Sequence, residues 1–471
     1  MQTTLDNPPK QGKGKHPPGL FLLFITEMWE RYSYYGIRSF LVLYLTAELI
    51  SGGLGMSDSQ ALLLYGNYIG LVYLSPMIGG WITDKLMSLR TGVTLGGIIM
   101  ALGDFSLFLV QEKWGLYLGL GLLIIGNGFF KPNISTLLGE LYEKNDKRKD
   151  SAFTIFYMGI NLGGFFAPIV AGLLYEDFFY STVNGVEHFG FKFAFLASSI
   201  GMIIGQVLFN ALAKKYLGDV GTKKYKIQTT TSGEGDKKKP LTKVEKHRTI
   251  VIFILAVFVV MFWVGFEQAG ASFTLYTRDF IDRTLFGYEV PVAWFQSLNP
   301  LFILLLAPVV SAFWLKMAKT KRGDFSVPTK MAFGLMLLGL GFMVLVPAVM
   351  MTGSDEADIT MKASAAFMVV TYLLNTLGEL CLSPIGLSMV TKMSPAKFAS
   401  ALMGVWFLSN AAANKLAGVV ASWTTKSGYL EIYAYLGIFA IGLGILLLIL
   451  TKPIQRLMHM DELEREQGEA A

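Results

Sequence analysis

The chain has 471 residues, 53% of them hydrophobic and only 16% charged. The apolar residues come in runs of about twenty, which excludes a large soluble core and marks a polytopic membrane protein. The formal net charge is +6, and the single cysteine, Cys381, excludes an intrachain disulfide.

Residues 1–18 are polar and basic, with Lys10, Lys13 and Lys15. The run from Leu20 to Leu45 is too long for a signal-peptide core and carries charges, so it is expected to be the first span rather than a cleaved leader. Its centre reads Glu27-Met-Trp-Glu30-Arg31-Tyr-Ser-Tyr34-Tyr35-Gly-Ile-Arg38. At about 100° per residue, Glu27, Glu30, Arg31, Tyr34, Tyr35 and Arg38 share an arc about 140° wide. Trp29, Tyr32, Ser33 and Gly36 take the opposite arc, which can face helices or lipid. Ionisable groups in a spanning helix are costly unless they face a cavity or each other. A Glu27–Arg31 pair at i,i+4 could be purely structural, but four charges and two phenols on one face point to a functional site.

Further apolar runs lie at about 61–83, 93–111, 115–138, 151–174 and 192–213. A second set follows at about 249–276, 292–315, 329–351, 363–390, 398–423 and 429–451, making twelve expected spans. Thirty Lys and Arg residues fall in one alternating set of gaps and tails and six in the other. The positive-inside rule then puts both termini in the cytoplasm. The basic, polar gap at 214–248 reads as a flexible cytoplasmic linker or lipid-headgroup contact. The division is therefore 1–213, an N-terminal six-helix bundle; 214–248, the linker; and 249–471, a C-terminal bundle with a cytoplasmic tail. Two such halves are the layout of the major facilitator fold. Gly80-Trp-Ile-Thr-Asp84-Lys85 resembles the short loop motif of that superfamily.

Beyond the first span, the deep ionisable residues are Lys131, Glu267 and Glu379, with Asp104 and Lys415 less clearly placed. At about 1.5 Å per residue, Arg38 and Glu267 lie about 27 Å from the cytoplasmic start of spans one and seven, towards the outside. Lys131 and Glu379 lie about 24 Å from the outer start of spans four and ten, towards the cytoplasm. These spans are equivalent in the two halves. The expected cross-half pairs are Arg38 with Glu267 at the outer mouth and Lys131 with Glu379 at the inner, one for each of two alternating gates. Pro132 and Pro384 each lie near a cytoplasmic-side charge and could weaken the helix there. The histidines, His16, His188, His247 and His459, lie in tails, gaps or span ends. Protons, if used, fall to the carboxylates of Glu27, Glu30 and Glu267. No group has metal-ligand or nucleophile-base spacing, so neither an enzyme nor a bound cofactor is expected.

At these residues the chain resembles the proton-coupled oligopeptide transporter family. Glu27 to Gly36 matches its first-span pattern, with Tyr32 in place of a phenylalanine. Gly128-Phe-Phe-Lys131-Pro-Asn-Ile-Ser, Phe156-Tyr-Met-Gly-Ile-Asn161-Leu-Gly-Gly and Glu379-Leu-Cys-Leu-Ser-Pro384-Ile-Gly-Leu resemble its fourth-, fifth- and tenth-span signatures. The resemblance implies proton-driven import of di- and tripeptides. It implies that Arg31 and Lys131 hold the peptide carboxylate and Glu379 the amino terminus. Tyr34, Tyr35, Arg38, Tyr73, Asn161 and Asn299 would line the site, and Trp263 and Trp406 would shape side-chain pockets. Glu27 and Glu30 would couple to Lys131, and Glu267 to Arg38. The short linker and short 352–362 loop favour a minimal bacterial plasma-membrane protein, expected to work as a monomer in the lipid bilayer without nucleic acid. The alternatives are a family member moving another small anion or a peptide-like drug, and a peptide sensor without net flux.

Overall fold

The computed structural model describes residues 15–143, 146, 148–223, 241–320, 323–353, 359, 361–395 and 398–459. The centre of the basic linker, most of the acidic 352–362 loop and the acidic C-terminal tail lie outside the described residues, as do the side chains of Ser383 and Pro384.

The apolar runs fold as helices, most with identifiable stops and starts. Pro18 begins α1 (Pro18–Thr46), where its missing N–H costs nothing. Ser57 caps α2 (Asp58–Leu86) by accepting from Gln60 N, and Ser88 caps α3 (Leu89–Leu109) by accepting from Thr91 N. Then come α4 (Lys113–Glu140), α5 (Lys149–Gly172), which runs on as a π-turn over Leu173–Phe178, and α6 (Phe191–Leu217). A two-stranded hairpin, Ser181–Val183 with Val186–His188, joins the last two.

The second half opens with α7 (Lys243–Phe266), whose start is a full capping box between Thr242 and Glu245. Sequence periodicity reads one helix through 276. Instead the chain passes into a 3-10 turn at Glu267–Gly270 and resumes as α8 (Ser272–Phe280). Gln268 explains part of the break: its amide donates to Val264 O at 3.0 Å and Ala417 O at 3.1 Å, and its oxygen accepts from Ser272 Oγ at 2.7 Å. Side-chain bonds thus compete with the regular ladder where α7 stops. There follow α9 (Leu298–Ala318), α10 (Val327–Thr352), α11 (Ala366–Met393) and α12 (Ala399–Met458). The last is interrupted at Gly428, whose φ of 78° needs a residue without Cβ.

Among the described residues, nine helices are long and apolar enough to cross a membrane. α1 is not one of them, although it has 29 residues, because Glu27, Glu30, Arg31 and Arg38 lower its apolarity.

The chain divides into two compact units. Unit 1 comprises Met1–Ala61, Leu71–Ile227 and Leu285–Leu301; unit 2 comprises Leu62–Gly70, Gln228–Thr284 and Phe302–Ala471. In unit 1, α1 lies against α5 and α6, and α3 against α4 and α6. The 285–301 segment is held on α5 by polar bonds: Trp294 Nε1 donates to Ile169 O at 3.1 Å and Ser297 Oγ to Phe165 O at 2.8 Å. In unit 2, α10 lies between α11 and α12, and α7 packs on α12.

Candidate functional site

Unit 1 carries most of the expected site. The charged arc of α1 is packed away from solvent, with Glu27, Glu30, Arg31 and Arg38 all buried. Arg31 grips Glu30 with a fork: Nε donates to Oε2 at 2.5 Å and Nη2 to Oε1 at 2.6 Å. The same Nε lies 3.4 Å from Glu27 Oε1. Two carboxylates therefore share one guanidinium, and Glu27 Oε2 has no hydrogen-bond partner among the described residues. Buried charge persists only where it is paired, and here the acids outnumber their cation.

Aromatic faces complete the surroundings. The Arg31 guanidinium lies 4.9 Å from the Tyr34 ring centroid, and that of Arg38 lies 5.8 Å from Tyr35. The two rings meet edge to face at 5.1 Å. Lys131 on α4 lies 4.8 Å over the Tyr73 ring of α2, within electrostatic reach of Glu27, Glu30 and Arg31. Glu27, Glu30, Arg31, Tyr34 and Lys131 thus form one group.

Proline and glycine shape the backbone around Lys131. Pro132 cannot donate to Gly128 O, four residues back. Gly79 of α2 lies against that carbonyl so closely that a Cβ would come within 2.2 Å of it. Asn133 Nδ2 then ties α4 to Thr83 Oγ1 of α2 at 3.0 Å.

Asn161 is buried on α5, with its amide bonded to Tyr157 O of its own helix at 2.9 Å. Its neighbour Gly163 sets how near α5 comes to the charged arc. A Cβ there would lie 2.3 Å from Met28 O and 3.1 Å from Arg31 Cβ. Gly163→Ala is expected to push α1 and α5 apart, at a cost of about 1–3 kcal/mol. Thermal unfolding in detergent should show a midpoint lower by about 1–3 degrees; an unchanged midpoint would contradict this packing. Asn299, at the start of α9, is half-buried within unit 1.

Glu267, Trp263, Glu379 and Trp406 belong to unit 2. Glu267 is buried and begins the 3-10 turn that breaks α7. Trp263 stands edge-on to Phe262 and Phe266 at 5.5 and 5.2 Å. Glu379 and Trp406 are buried on α11 and α12. Lys415 is exposed. An apolar cavity of about 230 Å³ among α7, α10 and α12 holds none of these residues; Gly265, Phe342 and Trp423 are part of its lining.

Sequence reasoning missed one partnership. Ser33, placed on the packing arc, donates to Asp104 Oδ2 of α3 at 2.7 Å. A carboxylic acid inside an apolar run was the available signal. Nothing in the sequence names a partner 71 residues away.

The fold and these buried charges define a membrane transport protein of the helical-bundle kind. A family model described as the POT family matches residues 90–233 and 210–436, and the chain belongs to that family. It is 35% identical over 503 residues to "Uncharacterized transporter YclF" of Bacillus subtilis (strain 168), covering 97% of this chain and 98% of that protein. It is 32% identical to "Peptide transporter YePEPT" of Yersinia enterocolitica, covering 98% of each. Among solved structures, "peptide transporter POT in complex with sulfate" superposes with a TM-score of 0.85 at 33% identity, covering 96% of this chain and 97% of that one. Its homologues and structural neighbours are transporters, not enzymes.

Proposed function

We propose that this chain is a proton-coupled symporter that imports di- and tripeptides across the bacterial inner membrane by alternating access. The observation that carries the reading is the sharing of Arg31 between Glu27 and Glu30, with Lys131 close by. A peptide carboxylate can compete for Arg31 and Lys131 only if an acid gives up its hold, and a proton on that acid releases it. Peptide and proton then favour each other's binding in unit 1. A relative named "Dipeptide and tripeptide permease A" from Escherichia coli (strain K12), 29% identical over 490 residues, supports the peptide class.

In this reading the chain crosses the membrane twelve times with both termini in the cytoplasm. Its halves are 1–213 and 249–471, joined by the 214–248 linker. Arg31 and Lys131 take the peptide carboxylate, and Glu379 takes its amino terminus. Tyr34, Tyr35, Arg38, Tyr73, Asn161 and Asn299 line the path, with Trp263 and Trp406 bounding side-chain pockets. Glu27, Glu30 and Glu267 handle protons. The gates read from sequence are Arg38 with Glu267 outside and Lys131 with Glu379 inside. The protein works as a monomer and needs no cofactor beyond the proton.

Dipeptide uptake into proteoliposomes, with and without an inward proton gradient, tests this. Accumulation above equilibrium only with the gradient is expected. Binding without flux would instead indicate a sensor.

A further inference from the structure

Asp104 is fully buried on α3 and has no place in the site described above. One oxygen accepts from Ser33 Oγ at 2.7 Å; the other, Oδ1, has no hydrogen-bond partner among the described residues. Ser33 is three residues after Glu30 on α1, so Asp104 meets α1 about one turn beyond Glu30. Glu30 is the charged group that acts on it.

The neighbouring elements supply no cation for Asp104. On α1, Arg31 is committed to Glu30 and Glu27, and Arg38 lies over Tyr35. On α4, Lys131 is the one charged residue between Lys113 and Glu140, and it lies over Tyr73. On α6, no ionisable side chain lies between Lys192 and Lys214, and on α3 none besides Arg90 at its start. Through its interaction with Glu30, Asp104 adds a third acid to a group that holds Glu27, Glu30, Arg31 and Lys131, three acids to two bases. One bound proton balances the group, and two interacting carboxyls a turn apart share a proton rather than both ionise.

We propose that Asp104 is a second proton-binding carboxyl of the coupling group and shares one proton with Glu30. While Arg31 grips Glu30, the proton stays on Asp104. When a peptide carboxylate draws Arg31 away, the O–H bond at Asp104 breaks and one forms at Glu30. The carboxylate left at Asp104 keeps the Ser33 hydrogen bond, and the pair's net charge does not change. The proposal rests on the proton-coupling role of Glu30.

Infrared difference spectroscopy of the full chain, with and without a dipeptide, reads the proton directly. The wild type should show a carboxylic-acid C=O band lost at one carboxyl and gained at another. Asp104→Asn should remove the first feature, and Glu30→Gln should remove both, because the Asp104 proton then has no acceptor. Asp104→Asn should also lower gradient-driven accumulation by about tenfold or more, with partial rescue by Asp104→Glu. Ser33→Ala, a milder change, should move the pH of half-maximal uptake. An Asp104→Asn protein with the wild-type difference spectrum and pH profile would overturn the proposal, as would an unmoved profile in Ser33→Ala. If no dipeptide binds, symport is refuted and a pH-difference spectrum replaces it. A band assigned to Asp104 that shifts in Glu30→Gln then supports the shared proton, and one that does not shift overturns it.

Discussion

Glu30→Gln should reduce gradient-driven dipeptide accumulation to simple equilibration, a loss of about tenfold or more. Both oxygens of Glu30 are taken by Arg31, at 2.5 and 2.6 Å, in a site closed to solvent. Glutamine keeps the shape and one acceptor but cannot bind a proton, so Arg31 is freed or held without reference to the gradient. Glu27→Gln should act in the same direction, since Glu27 is the other acid on Arg31, at 3.4 Å. Counterflow, which exchanges peptide without net proton movement, should suffer less than accumulation in both variants. If both accumulate peptide as the wild type does, these acids are not the coupling sites.

The second large effect concerns Lys131. Its ammonium lies over Tyr73 within electrostatic reach of Glu27, Glu30 and Arg31, so removing it takes away one of the group's two cations. A hydrogen bond to a charged partner contributes about 1.5–3 kcal/mol. Lys131→Ala should therefore weaken binding of an ordinary dipeptide by about ten- to a hundredfold. A carboxyl-amidated dipeptide has no negative end to lose and should be affected much less. Equal losses for the two ligands would argue against Lys131 as the carboxylate partner.

Much of this arrangement is visible in the sequence because membrane burial is so selective about charge. The arc of α1 can be drawn from helical spacing alone. The residues on its opposite side do face neighbours, as Tyr32 and Trp29 show against Gly201 and Gly205 of α6. Pro132 and Gly128 signal a backbone irregularity beside Lys131, though not that Gly79 would pack onto the exposed carbonyl. Glu267, Gln268 and Gly270 mark a weak point in the run, but the break itself is not legible, because the competing bonds join Gln268 to a carbonyl 149 residues away. Ser33 fails for a similar reason. A hydroxyl on a packing face looks like filler until the partner across the bundle proves to be a buried acid. Periodicity reports which face is covered and is silent on what covers it.

The most direct measurement is calorimetric titration of a dipeptide into the purified protein, in buffers of different ionisation enthalpy at one pH. If a proton on this group frees Arg31 and Lys131 for the peptide carboxylate, then at an alkaline pH, where the group has lost its proton, the observed heat must change with the buffer, showing proton uptake on binding, and Glu30→Gln must diminish that dependence. A wild-type binding heat identical in every buffer at that pH would contradict the account.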